Sequence, residues 1–238
     1  MAERTAMAGS TAGPPATTGI NPLQAVSLRE QARAAIRASI ITGEMEAGRV
    51  YSVPPLAEQL RVSLTPVREA MLDLVNEHLL EPVRNKGFRV PVLSEQDLED
   101  IFEIRLLLEG PTIGRIAGPI PAARHAELAE LVSQIEDRAA DGDLTDFLQA
   151  DRQFHLGLLA LLGNERLVEI VGSLRDQTRL YGLAELVRSG RLMASAREHA
   201  DILAAVADGD GARAEALTRH HLEHTRGIWA GRSEPGPP

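Results

Sequence analysis

Residues 54 to 92 constrain the fold more than any other part of the chain, because two helical stripes too short to stand alone are followed at once by a two-strand pattern. Pro54 and Pro55 open a helix of about two turns that turns Leu56, Ala57 and Leu60 inward. A break over Arg61 to Leu64 precedes Thr65 as helix N-cap and Pro66 as first helical residue, and Val67, Ala70, Met71, Leu74 and Val75 then form an apolar stripe. Two short helices across a tight turn predict a helix-turn-helix. Glu81 to Val83 and Phe88 to Val92 read as strands around the turn Arg84-Asn85-Lys86-Gly87, a hairpin with a basic tip. The hairpin makes the motif winged. Upstream, Ser27 caps a helix whose Leu28, Ala32, Ala35, Ile36, Ser39 and Ile40 recur at helical spacing until Gly43, and a short extended piece, Val50 to Val53, joins it to the motif.

From Ser94 to Trp229 the periodicity is helical throughout, in segments near 94–117, 121–140, 143–162, 164–189, 192–207 and 211–229. Gly118-Pro119, Gly142, Gly163-Asn164, Gly190 and the turn Asp208-Gly209-Asp210-Gly211 separate them. The expected fold class is mainly α: a winged helix-turn-helix with a small β wing at 27–92, then an all-α helical bundle at 94–230. Residues 1–26, rich in Ala, Gly, Thr and Pro, read as a disordered arm, and 231–238 as a disordered tail. No apolar h-region follows Arg4, and no apolar run approaches the ~18 residues of a membrane span. With 44% hydrophobic and 25% charged residues, the expectation is a soluble cytoplasmic protein without membrane contact. The absence of cysteine excludes disulfides, thiolate metal sites and thiol nucleophiles. No G-x-G-x-x-G or Walker pattern is present.

The net charge of -9 argues against nucleic acid only if it is evenly spread. It is not. Residues 28–93 carry nine bases against eight acids, a net +1, and the first 27 carry one of each, so the remainder holds -10. A recognition helix docks its first turn in the major groove, where arginine pairs with guanine edges and hydroxyl side chains reach phosphates. Ser63, Thr65 and Arg68 occupy that turn, and Arg84, Lys86 and Gly87 form a wing tip able to lie along the backbone or minor groove, its glycine allowing close approach. The plainer alternative makes Thr65 only a cap and Arg68 only a solvated charge. The runs Leu56-Ala57-Glu58-Gln59-Leu60, Val62 to Ala70, and Asn85-Lys86-Gly87-Phe88-Arg89-Val90 resemble the GntR-type winged helix over nearly all of 27–92. That family commonly carries arginine where Leu64 stands and a basic residue near Pro54, both positions that often contact DNA, so the resemblance implies either an altered operator or weaker binding.

In the segment 143–162, Asp151 and His155 fall on the apolar stripe of Leu144, Phe147, Leu148, Phe154, Leu158 and Leu162, one turn apart. His199 shares a stripe with Ile202, Leu203 and Val206; His221 and His224 share one with Leu217 and Ile228. Residues equidistant from a helix-hairpin turn lie at one height, and the midpoint of 199 and 221 is 210, inside the turn at 208–211. His199 and His221 should therefore face each other. One carboxylate and three imidazoles form a borderline-hard ligand set suited to a divalent metal, zinc first, with Ni, Mn or Fe also fitting. The alternative is a set of satisfied core histidines with Asp151 paired to Arg152 or Arg179. His220, His78 and His125 read as surface residues. Arg105 and Glu109 lie on one face with Leu98, Ile101, Phe102, Thr112 and Ile116, where Arg105 either clamps a ligand carboxylate or pairs with Glu109.

The runs Asp151-Arg152-Gln153-Phe154-His155, Gly163-Asn164, Glu198-His199-Ala200-Asp201-Ile202 and His221-Leu222 resemble the FCD domain of the FadR subfamily of GntR regulators, over most of 94–229. The resemblance implies that Asp151, His155, His199 and His221 bind a divalent metal inside a helical pocket for small organic acids, with Arg105, Glu109, Asn164 and His224 toward the effector. It implies a transcription regulator, a repressor foremost, acting as a homodimer on palindromic operator DNA and sensing a small carboxylate metabolite. Two rivals are a regulator of the same fold that binds its ligand without metal, and a helical metalloenzyme. Against the enzyme, no general base stands beside the site, and the paired Glu-x-x-His motifs of a di-iron bundle are missing.

Overall fold

In a computed structural model of the chain, the described residues are 27–178 and 192–229, with side chains described to His224. The elements run α1 (Leu28–Ile41), β1 (Val50–Tyr51), α2 (Val53–Leu60), α3 (Leu64–Asn76), β2 (Glu81–Val83), β3 (Gly87–Arg89), α4 (Glu95–Ile116), α5 (Ala122–Asp141), α6 (Leu144–Ala160), α7 (Glu165–Thr178), α8 (Leu192–Ala207) and α9 (Gly211–Trp229). None of the described helices is long and apolar enough to cross a membrane.

α1 starts on a capping box in which Ser27 and Glu30 satisfy each other's backbone N–H groups, which fixes the helix start at its polar end. Ala32, Ile36 and Ile40 then face the buried Val67, Ala70, Met71 and Leu74 of α3, with Ala57, Phe88 and Val90 closing the core of the head. Leu28 and Ala35, expected on that stripe, are exposed. The extended piece before α2 pairs with the wing as a third strand: the sheet order is β1-β3-β2, with Tyr51 opposite Phe88 and Pro82 opposite Phe88 on the other side. The extended piece is therefore only Val50 and Tyr51, and Val53 already lies in α2 as a buried residue. Gly87 belongs to β3, not to the turn, and its φ of 129° comes with a reason inside the fold. A Cβ there would stand 2.2 Å from the Tyr51 carbonyl oxygen. Glycine permits β1 to close on β3, rather than serving a DNA approach alone.

The bundle core gathers Ile113 of α4, Leu128 and Ile135 of α5, Phe147, Phe154 and Leu158 of α6, Val171 of α7, Ile202 and Val206 of α8, and Ala214 of α9. α4 begins on a second capping box, Ser94 with Asp97. Gly114 and Gly211 let α4 and α9 touch backbone to backbone, since a Cβ on Gly211 would meet the Gly114 carbonyl oxygen at 2.5 Å. The segment expected at 164–189 is helical as α7 to Thr178, and its remainder lies outside the described residues.

Head and bundle are joined by charge. Arg37 of α1 bonds both Glu77, which caps the C-terminus of α3, and Asp176 of α7, the latter at 3.1 Å. Asp176 is wholly buried and also accepts Nε and Nη2 of Arg152 at 2.7 and 3.1 Å. Ser173 donates its hydroxyl to the Glu77 carbonyl at 2.7 Å. The end of α3 is thus tied to α7 through both its side chain and its backbone.

Candidate functional site

Three helices deliver the polar cluster to one point in the bundle. Asp151 and His155 come from consecutive turns of α6, His199 from α8 and His221 from α9, and one ligand atom from each lies within 4.8 Å of the others. His155, His199 and His221 are buried, while Asp151 keeps partial exposure. The α8–α9 hairpin sets His199 against His221 with ring centroids 4.6 Å apart, as equal distance from the turn requires. Phe154 packs edge-on against both His155 and His199 and shields the cluster on the α6 side.

The outer nitrogens are already committed. Nδ1 of His199 lies 3.1 and 3.0 Å from the Ser195 and Ala196 carbonyl oxygens, acceptors to which it can only donate. Nδ1 of His221 donates to Glu198 at 2.6 Å. Both rings therefore point Nε2 inward, the nitrogen left for a metal, with Nδ1 held as outer partners hold ligating histidines. Burial pushes the His155 and His221 pKa values down, with Arg175 adding to the effect at His155, so both rings are neutral donors. Nε2 of His199 stands 3.1 Å from His155 Nε2 and 3.1 Å from Asp151 Oδ1, so three of the four donor atoms crowd one point. The donor set thus fits a divalent metal, with Asp151, His155, His199 and His221 as the residues that could hold it.

Glu198 was quoted in the sequence only as part of a motif, and the structure gives it a task. Burial works against its charge, but the hydrogen bonds from His221 and His224 outweigh that and bring its carboxyl down to about 2. His224 spends Nδ1 on Glu198 Oε1 at 2.6 Å, behind His221. The midpoint rule that paired 199 with 221 would also have found Glu198, whose midpoint with 222 is the same turn.

On the inward side Arg105 pairs with Glu109 at 2.7 Å and reaches Thr178 at 3.3 Å, all buried, so the second of its two expected roles is the one seen. Glu109 also accepts Nε and Nη2 of Arg175 at 3.0 and 2.8 Å, and Arg175 continues to Asp151 Oδ2 at 3.2 Å. Burial opposes the Glu109 charge, but Arg105 and Arg175 hold its carboxyl below the ordinary range. Arg175 is thus the partner of Asp151. Arg152 goes to Asp176 instead, and Arg179 lies outside the described residues. Arg175 escaped the sequence reading although Val168, Val171 and Thr178 mark its face at helical spacing. Asn164, expected toward the effector, is exposed and its Oδ1 accepts the Leu167 N–H, an end cap for α7.

At the other end of the molecule the α3 N-terminus faces outward. Ser63, not Thr65, is the N-cap, with its hydroxyl making no capping bond, so that Thr65 and Pro66 already lie inside the helix. Ser63, Leu64, Thr65 and Arg68 are all exposed, as are Arg84 and Lys86 on the wing. The nine bases of the head sort into two groups. Arg29 pairs with Asp73, Arg33 and Arg37 with Glu77, Arg49 with Glu46, and Arg89 with Glu81. Arg61, Arg68, Arg84 and Lys86 are exposed and make no ion pair among the described residues. They sit on the helix-helix turn, α3 and the wing tip. These four bases stand on adjoining elements together with the exposed Glu58 of α2 and Glu69 of α3, so the surface offers basic side chains for recognition without a large net field.

Comparison with known proteins agrees with both ends. Residues 28–90 match the family model described as bacterial regulatory proteins, gntR family, and residues 100–224 match the FCD domain. The chain is 32% identical over 170 residues to the Nta operon transcriptional regulator of Aminobacter aminovorans, covering 71% of this chain and 78% of that one. It is 31% identical to a protein of Paenarthrobacter nicotinovorans described as a probable D-xylose utilization operon transcriptional repressor, covering 84% and 88%. A solved structure of E. coli McbR/YncC superposes with a TM-score of 0.78 at 25% identity, over 87% of this chain and 99% of that one. These families and relatives are transcription regulators, not enzymes.

Proposed function

The chain belongs to the gntR family of bacterial regulatory proteins with an FCD domain as its helical half, hence a DNA-binding transcriptional regulator, and from that premise we propose that its bundle binds a divalent metal and a small organic acid that together govern operator binding. The observation that carries the metal reading is the closed set of Asp151, His155, His199 and His221, with the outer nitrogens of His199 and His221 spent on a backbone carbonyl and on Glu198. A bound divalent ion supplies Lewis acidity and an anchor for a carboxylate. Charge supports an anionic ligand: a divalent ion added to Arg105, Arg175, Glu109, Asp151 and Glu198 leaves an excess of positive charge in a buried place.

The reading head acts through Ser63, Thr65 and Arg68 on α3, with Arg84, Lys86 and Gly87 on the wing, and the protein works as a homodimer whose two-fold axis matches a palindrome. Support for the dimer comes from α4, where Ile104 and Leu107 are exposed and Leu107 keeps 66% of its surface. Repression is the sign suggested by the Paenarthrobacter relative. Transmission follows the observed bonds: Asp151 touches Arg175, whose neighbour Asp176 holds Arg152 and Arg37, and Arg37 holds Glu77 at the end of α3. A ligand that binds two arrangements of this chain with different affinity shifts DNA binding by that difference.

The test is elemental analysis of purified protein together with a thermal-shift screen of small carboxylates. One equivalent of metal in the wild type and little in Asp151→Ala and His199→Ala is the expected result, with a carboxylate raising the melting temperature of the metal-replete protein only. Unchanged metal content in both variants would sink the site.

A further inference from the structure

We propose that Leu64 is a specificity-determining residue that reads the 5-methyl group of a thymine in each operator half-site. The proposal rests on α3 being the helix that enters the major groove, and deepens that reading. α3 has two faces. Val67, Ala70, Met71 and Leu74 are fully buried in the head core. Leu64, Arg68 and Leu72 follow one another at four-residue intervals along a line that starts at the edge of the buried stripe, three residues before Val67, and runs out to solvent, Leu64 being 51% exposed and Leu72 48%. Leu64 is the first residue of the helix, flanked by the exposed Ser63 and Thr65.

A leucine there is unfavourable in the free protein, since an apolar side chain is held in water beside polar neighbours when the helix would accept Lys, Glu or Gln at no cost in propensity. The surface that covers it in the DNA complex decides its meaning. Leucine carries no donor or acceptor, so it cannot match guanine O6 and N7, adenine N6 and N7, or cytosine N4, and pressing it on any of these would strip water from polar edges without replacing the bonds. In the major groove the one apolar feature of an unmodified base pair is the thymine methyl. Side chains of the first turn of a recognition helix are those that reach base edges, and Leu64 stands one turn before Arg68, among the four bases without ion pairs that draw the phosphates in. 5-Methylcytosine displays the same methyl, so the shared chemistry is a 5-methylpyrimidine; the unmodified operator makes thymine its source.

The experiment uses the full-length protein. Duplexes are selected from a random library, and each thymine of the selected half-site is then replaced singly by deoxyuridine, which keeps the pairing edge and removes only the methyl. Binding is measured by fluorescence anisotropy for the wild type, Leu64→Ala and Arg68→Ala. For the wild type, one replacement per half-site weakens binding about fourfold, and about fifteenfold when made in both, the worth of one buried methyl apiece. In Leu64→Ala the same replacement changes binding by less than about 1.5-fold, and 5-methylcytosine with a paired guanine at that position recovers part of the wild-type affinity but none in the variant. Circular dichroism matching the wild type shows that Leu64→Ala is folded. The proposal is overturned if no single deoxyuridine weakens wild-type binding, or if the weakening persists in Leu64→Ala. If the library gives no consensus, or Arg68→Ala keeps full specificity, the assignment of α3 as reading helix fails and this proposal with it.

Discussion

Asp176→Asn tests how firmly the head is fastened to the bundle. The replacement is nearly isosteric and removes one charge from a carboxylate with no solvent exposure that accepts three guanidinium N–H bonds, at 2.7, 3.1 and 3.1 Å. Removing one partner of a buried ion pair typically costs about 3–5 kcal/mol, chiefly because the other charge is left behind. Here the two arginines retain 19% and 27% exposure, so each can turn partly to water. The loss worked from this geometry is about 2–3 kcal/mol, or roughly 4–12 °C in melting temperature for a chain of this length. Glu127→Gln, which breaks the exposed pair with Arg124, is the control and should cost no more than about 0.5 kcal/mol. Urea unfolding followed by far-ultraviolet circular dichroism gives both numbers. Hydrogen exchange adds a local readout: amides at the C-terminal turn of α3 should exchange faster in Asp176→Asn, because Arg37, still bonded to Glu77, is no longer anchored to α7. A loss below about 1 kcal/mol with unchanged exchange at α3 would refute the view that this carboxylate fastens the two halves.

Three further outcomes follow from the same geometry. Glu198→Gln weakens metal binding by about 10- to 100-fold by loosening the His221 ring, read by competition with a chelating dye, and wild-type affinity in the variant would remove Glu198 from the site. Asp73 is held below its ordinary pKa by the hydrogen bond from Arg29, so the stability it lends is complete above the unfolded value near 3.9 and lost as pH falls through the lower folded value; acid titrations of wild type and Asp73→Asn should diverge above about pH 4 and converge below it, and parallel curves would count against the pair. Four unpaired bases in each head limit a dimer to eight phosphate contacts, so log affinity against log salt should slope no more steeply than about -7, and Lys86→Ala should lower that magnitude by about 2; a slope unmoved by Lys86→Ala would remove the wing tip from the DNA surface.

What the sequence disclosed and what it hid divide along a physical line. Periodicity reports which face of an element is inward, and it placed Asp151, His155, His199 and His221 on inward faces because each interrupts an otherwise apolar stripe. A short hairpin turn adds height, which is why His199 could be matched with His221 across 208–211 before any coordinates. Neither signal reaches partners that share no turn. Arg37 and Asp176 are 139 positions apart and belong to different cores, so nothing local tells that one caps the other. The pairing of β1 was missed for a related reason: the extended piece was legible, but two residues are too few to show alternation, and their place beside β3 is visible only through the glycine that tolerates it. The cap of α3 moved from Thr65 to Ser63 because both are good caps and the choice depends on how α2 ends, with Arg61 in a left-handed conformation that lets the next helix start two residues early.

The same line explains why the total charge misled. Net charge sums side chains without regard to partners, whereas a DNA phosphate responds to the charge left uncancelled at the surface it meets. In the head five arginines are absorbed by Asp73, Glu77, Glu46 and Glu81, most of them fastening α1 to α3 or strand to strand. Four of the eight acids of the head build the scaffold, and the four bases outside these pairs lie on the helix-helix turn, α3 and the wing, with Glu58 and Glu69 exposed on α2 and α3 beside them. A mutation that frees a scaffold arginine would raise the positive field without improving recognition, because the new charge would sit away from the groove. Conversely, Arg68 and Lys86 can be removed at little cost to folding, since no ion pair among the described residues depends on them. On the proposed reading, stability and DNA affinity are carried by separate basic residues in one small domain, and the Asp73→Asn and Lys86→Ala variants should separate the two, the first lowering stability above about pH 4 with the salt slope kept, the second lowering the slope with stability kept.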